Sequence, residues 1–267
     1  MGNAFFVVWR ESLEAFLIAG ILFAWLQVND ATGRGRRALF AGLAAGVGLA
    51  LVLGWALLTV QDELTGQALE LFQTATLLIA AGLITQMVLW MRRHGRQIKA
   101  RLHADLSAAA ERSGHLGVAV VAALAVAREG AETVIFLYGL AQGGELMALA
   151  SGAVAGFLGA AASAWLAAKS LARLNLGLLL RLSSILLLIL ASSLLIAASD
   201  RLIGADWLPT LIDPVWDSSA LLDDGSTGGK LLADFTGYRA RPALSALLLW
   251  LGYWAVVIVG YRRTAHG

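Results

Sequence analysis

The chain is written as long apolar runs parted by short polar breaks. Read as spans, the runs cover residues 4–28, 38–60, 71–91, 115–140, 147–168, 182–199 and 243–261. Each is close to the ~20 residues that carry a helix across a hydrocarbon core. Lipid offers the backbone no hydrogen-bond partners, so each run must satisfy its own peptide groups, as a helix does. The alternating pattern of a membrane β-barrel is absent. The pattern therefore predicts an all-α integral membrane protein with seven transmembrane helices.

Charge gives the spans a direction. Arg34, Arg36 and Arg37 fall in loop 29–37, and Arg92, Arg93, Arg96, Lys99, Arg101 and Arg112 in loop 92–114. Lys169, Arg173 and Arg181 fall in loop 169–181, and Arg262 and Arg263 in the tail. The other side carries only Arg201, Lys230, Arg239 and Arg241. The positive-inside rule places the first group in the cytoplasm, with the N-terminus outside and the C-terminus inside. Hydrophobic residues make up 59% of the chain and charged residues 14%, far from the balance of a soluble domain. With no cysteine, a disulfide framework, a thiolate metal site and covalent haem attachment are excluded. The N-terminus has neither the basic start nor the cleavage site of a signal peptide. The basic pI reflects the loops and does not point to nucleic acid.

Within these boundaries, the intramembrane charges belong to one motif that occurs twice. Arg10-Glu11-Ser12-Leu13-Glu14 lies in the first span, and Arg128-Glu129-Gly130-Ala131-Glu132 in the fourth. Glu70 sits at the outer border of the third span. A charge at the centre of a spanning helix costs roughly 2.5–3.5 kcal/mol on the insertion scale, which makes such groups functional by default. Residues three and four apart share a helix face, so Glu11 projects with Glu14 and Glu129 with Glu132. Arg10 and Arg128 each stand four before the second glutamate and can pair with it. Four converging carboxylates make a hard oxygen site, suited to a hard cation and poorly to copper(I). The alternative, a pair of buried salt bridges that only lock helices, fits a repeated motif less well, because such bridges seldom add net stability.

The second and fifth spans also match. Gly42-Leu-Ala-Ala-Gly46 is followed by Trp55, and Gly152-Ala-Val-Ala-Gly156 by Trp165, at equal spacing. Residues 1–91 and 115–199 therefore read as two three-helix copies within a single membrane domain. An odd number of spans per copy makes them inverted repeats, an architecture typical of transporters with a site near mid-membrane. Close helix packing alone also accounts for the paired glycines. An external loop, 200–242, and a seventh helix with a cytoplasmic tail, 243–267, complete the expected layout. The loop is acidic, and Gly225-Ser-Thr-Gly-Gly229 within it reads as a flexible turn.

Two Arg-Glu-x-x-Glu motifs in the first and fourth of seven spans resemble the oxidase-dependent iron permeases, the family of the fungal high-affinity iron permease and the bacterial EfeU-type permeases. Ala125-Val-Ala-Arg-Glu-Gly-Ala-Glu132, Met87-Val-Leu-Trp-Met-Arg-Arg93, Arg173-Leu-Asn-Leu-Gly177, Trp216-Asp-Ser-Ser219 and Gly237-Tyr238 carry the resemblance over essentially the whole chain. It implies import of iron across the plasma membrane, in bacteria the inner membrane, as Fe(III) after external oxidation. It implies Glu11, Glu14, Glu129 and Glu132 as iron ligands, with Arg10 and Arg128 tuning the site. Iron is then the transported substrate, with no permanently bound cofactor. An external or periplasmic oxidase or iron-delivery protein is the implied partner. One departure concerns the path: Gln73 stands where related sequences often carry a glutamate, and Glu70 is one turn earlier. Glu70, Gln73 and Asp217 are the candidate path residues.

Two other functions stay open at this stage. Carboxylates do not discriminate sharply among cations, so lead, manganese or Fe(II) taken directly would also suit the site. A membrane-embedded metalloenzyme is disfavoured, because the Glu-x-x-His pairs of di-iron bundles and the HExxH and nucleophile-elbow motifs are missing. His94, His103, His115 and His266 lie in or at the edge of predicted cytoplasmic segments. Ser183, Ser184, Ser192, Ser193 and Ser199 in the sixth span either line a path or bond across helices.

Overall fold

The computed structural model describes residues 2–30, 33–94, 98–142, 146–169 and 176–265. Among the described residues helices are the regular secondary structure, and no strand is present. In order the helices are α1 (Gly2–Asn29), α2 (Arg34–Glu63), α3 (Gly66–His94), α4 (Ile98–Ala141), α5 (Leu146–Ala168), α6 (Leu176–Gly204), α7 (Thr227–Thr236) and α8 (Leu244–Ala265). Each expected span lies inside one of them, apart from the first residue of the seventh. Helices α2, α3, α5, α6 and α8 are long and apolar enough to cross a membrane. The other two expected spans lie in α1 and α4, the helices that carry the charged motifs.

Two helices stand where loops were expected. The basic segment after α3 is not a loop from residue 98 onward: it is the first arm of α4, broken at Gly114 (φ 57°, ψ −133°), a conformation open to glycine. The break reverses the chain. A Cβ on Gly117 would lie 2.1 Å from the Ala109 carbonyl oxygen, although a straight helix separates residues eight apart by about 12 Å. The arm is amphipathic. Leu102 and Leu106 turn inward while Asp105, Glu111 and Arg112 stay exposed. The sequence hid this helix because its charge density reads as loop.

The second unexpected helix is α7. The stretch read as a flexible turn is its start: Ser226 caps it by accepting a 3.1 Å hydrogen bond from the Gly229 N–H. Gly237, in the left-handed region at φ 76°, ends it by donating its N–H to the Ala233 carbonyl.

Contacts gather the helices into two compact units, and each unit draws on both of the three-helix copies expected from the sequence. The first takes α1, α2, α4 up to Leu137, and α5. The second takes α3, the last turn of α4, α6, α7 and α8.

The first unit is built on small residues. Gly42, Gly46 and Ala50 are the buried stripe of α2, and Gly152, Gly156 and Ala160 that of α5. These let backbones approach closely, which drives helix association where no hydrophobic gain exists between helix and lipid. A Cβ on Gly156 would lie 2.5 Å from the Phe5 carbonyl oxygen of α1, and one on Gly46 2.7 Å from the Ala123 oxygen of α4. Leu22, Leu26, Leu39, Leu106, Val118 and Ala122 form a buried cluster in this unit, into which the α4 arm packs.

In the second unit, Tyr253 of α8 donates to the Leu188 carbonyl of α6 at 2.9 Å and meets the Thr85 hydroxyl of α3 at 3.3 Å. Between α6 and α8 runs a connecting segment held by antiparallel backbone pairs. Leu244 donates to Ile212, Val215 to Pro242 and Ser218 to Ala240, each at 2.9 Å. The serines of α6 mostly bond back to their own helix: Ser192 to Ile189 and Ser199 to Ile196. Ser193 also reaches the Asp234 carbonyl of α7.

Candidate carboxylate site

The two acidic motifs converge inside the first unit. Oxygen atoms of Glu11, Glu14 and Glu129 lie within 4.8 Å of one another. Helix spacing puts Glu11 and Glu14 one turn apart on α1, and α4 brings Glu129 from the second motif. All three are buried. Glu132 is nearly so, its side chain 13% exposed.

Helix packing fixes this convergence. Trp9, the residue before the first motif, donates its indole N–H to the Ser163 hydroxyl of α5 at 3.2 Å. Gly130, inside the second motif, faces Ala50 of α2 so closely that a Cβ would sit 2.6 Å from the Ala50 Cβ. Sequence reasoning missed both supports. Gly130 was legible only as a motif letter, and nothing in the sequence singled out Ser163.

The two arginines are not equivalent. Arg10 is fully buried. Its Nη1 donates to Glu11 Oε1 at 2.9 Å, and its Nη2 lies 2.8 Å from Glu14 Oε1, an ion pair off the line of a good hydrogen bond. Arg128 is half exposed, at 51%, and its Nε donates to Glu132 Oε1 at 3.1 Å. Each arginine thus reaches the carboxylate four residues on, as the motif spacing predicts.

Acceptor capacity remains after these pairs. Glu11 Oε2 and Glu132 Oε2 are buried and accept no hydrogen bond among the described residues. A buried acceptor left unsatisfied costs roughly 1–3 kcal/mol, more when charged. Carboxylate oxygens of this kind are the ligands that hard cations take. The donor set holds no sulfur and no imidazole.

The remaining candidates lie in the second unit. Gln73 accepts a 2.6 Å hydrogen bond from Arg201 Nη1. Glu70 is exposed on α3. Asp217 is exposed in the segment between α6 and α7, where it accepts from the Ser219 backbone and hydroxyl and from Arg241 Nε. Its carboxyl is held below the usual range, first by the Ser219 hydroxyl, then by the Ser219 backbone N–H, with a smaller share from Arg241. A partner absent from the sequence reading also appears here: the Tyr138 hydroxyl donates to Gln61 Oε1, beside the Phe72 ring.

The helices and their charged motifs define a multi-pass helical membrane protein with an acidic cluster buried among its helices, a transporter rather than an enzyme. The chain belongs to the iron permease FTR1 family, whose profile matches residues 1–263. It is 31% identical over 268 residues to the ferrous iron permease EfeU of Escherichia coli O6:K15:H31, covering 96% of this chain and 94% of that one. The ferrous iron permease EfeU of Shigella sonnei matches at the same identity and coverage. That of Yersinia pestis is 32% identical over 135 residues, covering 50% of this chain and 48% of the relative. No solved structure matches the chain. Family and apolar helices together place the protein in the plasma or inner membrane.

Proposed function

We propose that the protein imports iron through the carboxylate site, with Glu11, Glu14, Glu129 and Glu132 as ligands and Arg10 and Arg128 as counter-charges of the unloaded state. The observation that carries this reading is the meeting of Glu11, Glu14 and Glu129 oxygens within 4.8 Å, drawn from two helices. An arriving cation takes over the neutralising role of the arginines. An all-oxygen, anionic donor set favours a hard, highly charged ion. The proposed cargo is therefore Fe(III), produced outside by an oxidase or brought by an iron-delivery protein. Seven spans, with the N-terminus outside, would make the two three-helix copies inverted. Transport then proceeds by rocking of the copies about the shared site.

A second reading is direct uptake of Fe(II). It is favoured by the relatives, each of which is named a ferrous iron permease.

The test is radiolabelled iron uptake in cells lacking other iron importers, comparing wild type with Glu14→Ala and Glu132→Ala at matched membrane levels. Uptake should vanish in both variants. Retained uptake in both overturns the site. Ascorbate separates the two cargoes: it should lower Fe(III) uptake and raise Fe(II) uptake.

A further inference from the structure

Beyond the crossing of α1 and α5 at Gly156, residues of both helices line an apolar groove. The groove has a volume of about 750 Å³ and runs along α1 from Phe16 to Asn29. That volume lies within the ~300–1,000 Å³ of ordinary ligand sites. Small residues on both sides open it: Gly20 and Ala24 on α1, and Ala164 and Ala167 on α5. Gly20 differs in kind from the glycines at the crossing. A Cβ there would meet no atom within 4 Å, whereas one on Gly156 would run into backbone. The missing side chain at Gly20 therefore serves no helix contact and leaves room.

The polar side chains of the lining gather at one end. Asn29 and Trp25 close the C-terminal end of the α1 wall, and His103 joins the lining from the α4 arm. His103 Nε2 is buried without a hydrogen-bond partner among the described residues. The rest of the lining is apolar. An indole at the boundary between apolar and polar lining is the usual mark of headgroup depth.

We propose that this groove holds one acyl chain of a glycerophospholipid, taken from the leaflet that meets the C-terminal ends of α1 and α5. The ester and phosphate region lies at the Asn29 and His103 end. Size supports a lipid over a protein segment. From Phe16 to Asn29 the helix rises about 20 Å, close to one leaflet's share of a ~30 Å hydrocarbon core plus its interface. A helix of that length and ~10 Å diameter would need roughly twice the volume of the groove. The site is separate from the iron-import reading and does not rest on it.

The test counts lipids that survive purification. The protein in mild detergent is supplied with palmitoyl-oleoyl phosphatidylglycerol or phosphatidylethanolamine and examined by native mass spectrometry. Wild type should retain one more lipid than Gly20→Leu/Ala167→Leu, which fills the groove. Gly48→Leu, also facing open space but on α2, should behave as wild type. His103→Ala should weaken retention of either lipid, and a loss confined to phosphatidylglycerol would show that His103 reads headgroup charge. Equal lipid counts in wild type and the filled variant overturn the proposal, because only exchanging boundary lipid would then be present. If the filled variant misfolds, wild type alone decides, using a phospholipid with a photoreactive acyl chain. Adducts should concentrate in residues 16–28 and 164–168. Adducts spread evenly over other exposed faces, such as residues 47–58, overturn it.

Discussion

Gly46 and Gly156 make the same contact with the two helices that carry the acidic motifs. A Cβ on Gly156 would press on the Phe5 oxygen and the Trp9 nitrogen, and one on Gly46 on the Ala123 oxygen and the Ala127 nitrogen. Phe5 and Ala123 each stand six residues before the first glutamate of their motif, and Trp9 and Ala127 two before. The same small residue thus sets the approach to each motif. Gly46→Leu and Gly156→Leu should each destabilise the first unit by about 3 kcal/mol, the upper end for overpacking, because the obstacle is backbone. Thermal unfolding in detergent measures this. Gly20→Ala, with open space around its Cβ, should hold or slightly raise the midpoint, because alanine suits a helix interior better than glycine by up to about 1 kcal/mol.

The arginines should differ in a like assay. Arg10→Gln removes the buried partner of two carboxylates, a change that costs about 3–5 kcal/mol when charges are left behind. Arg128 is half exposed, so Arg128→Gln should cost about 1 kcal/mol or less. Equal shifts in unfolding midpoint would show that the two motifs are held alike after all.

Gln73 offers a third comparison. Its amide oxygen accepts from Arg201. Gln73→Leu leaves the guanidinium without that acceptor and should lower stability by about 1–3 kcal/mol. Gln73→Glu converts a neutral acceptor into a charged one and should hold or raise the midpoint. Uptake measured on the same pair shows whether an acidic group there serves the path.

The segment around Asp217 should carry a pH signature. Asp217 is held below its ordinary value in the folded state, so its contribution to order is fully present above the unfolded carboxylate range, near pH 4. It is lost as pH falls through the lower folded value. Hydrogen exchange at the Ser219 amide, which donates to Asp217, should therefore stay slow through pH 5 and quicken only in stronger acid. In Asp217→Asn that acid step should be missing.

Much of the helical layout could be read in advance, because lipid leaves the backbone few options and charge marks the breaks. The segment before Gly114 could not: its arginines and acids look like a loop, and only the reversal at Gly114 brings Leu102 and Leu106 onto the core. The start of α7 was hidden for the opposite reason, since glycines that read as flexible sit in a capped first turn. Motif spacing anticipated the pairing of Arg128 with Glu132 and of Arg10 with Glu14. It gave no hint that one guanidinium is sealed and the other open, which depends on what packs around each helix. The alignment of Gln73 with Arg201 likewise joins residues on different helices, beyond the reach of any local pattern.

Arg10 pairs with Glu11 and Glu14, and Arg128 with Glu132, each within its own helix, whereas the oxygens of Glu14 and Glu129 meet across two. On the proposed import reading, a multivalent cation bound there would be held by α1 and α4 at once and would act as a clasp between them. Loading would then be a mechanical event as well as a chemical one, with the cargo serving as a removable rivet in the fold that carries it.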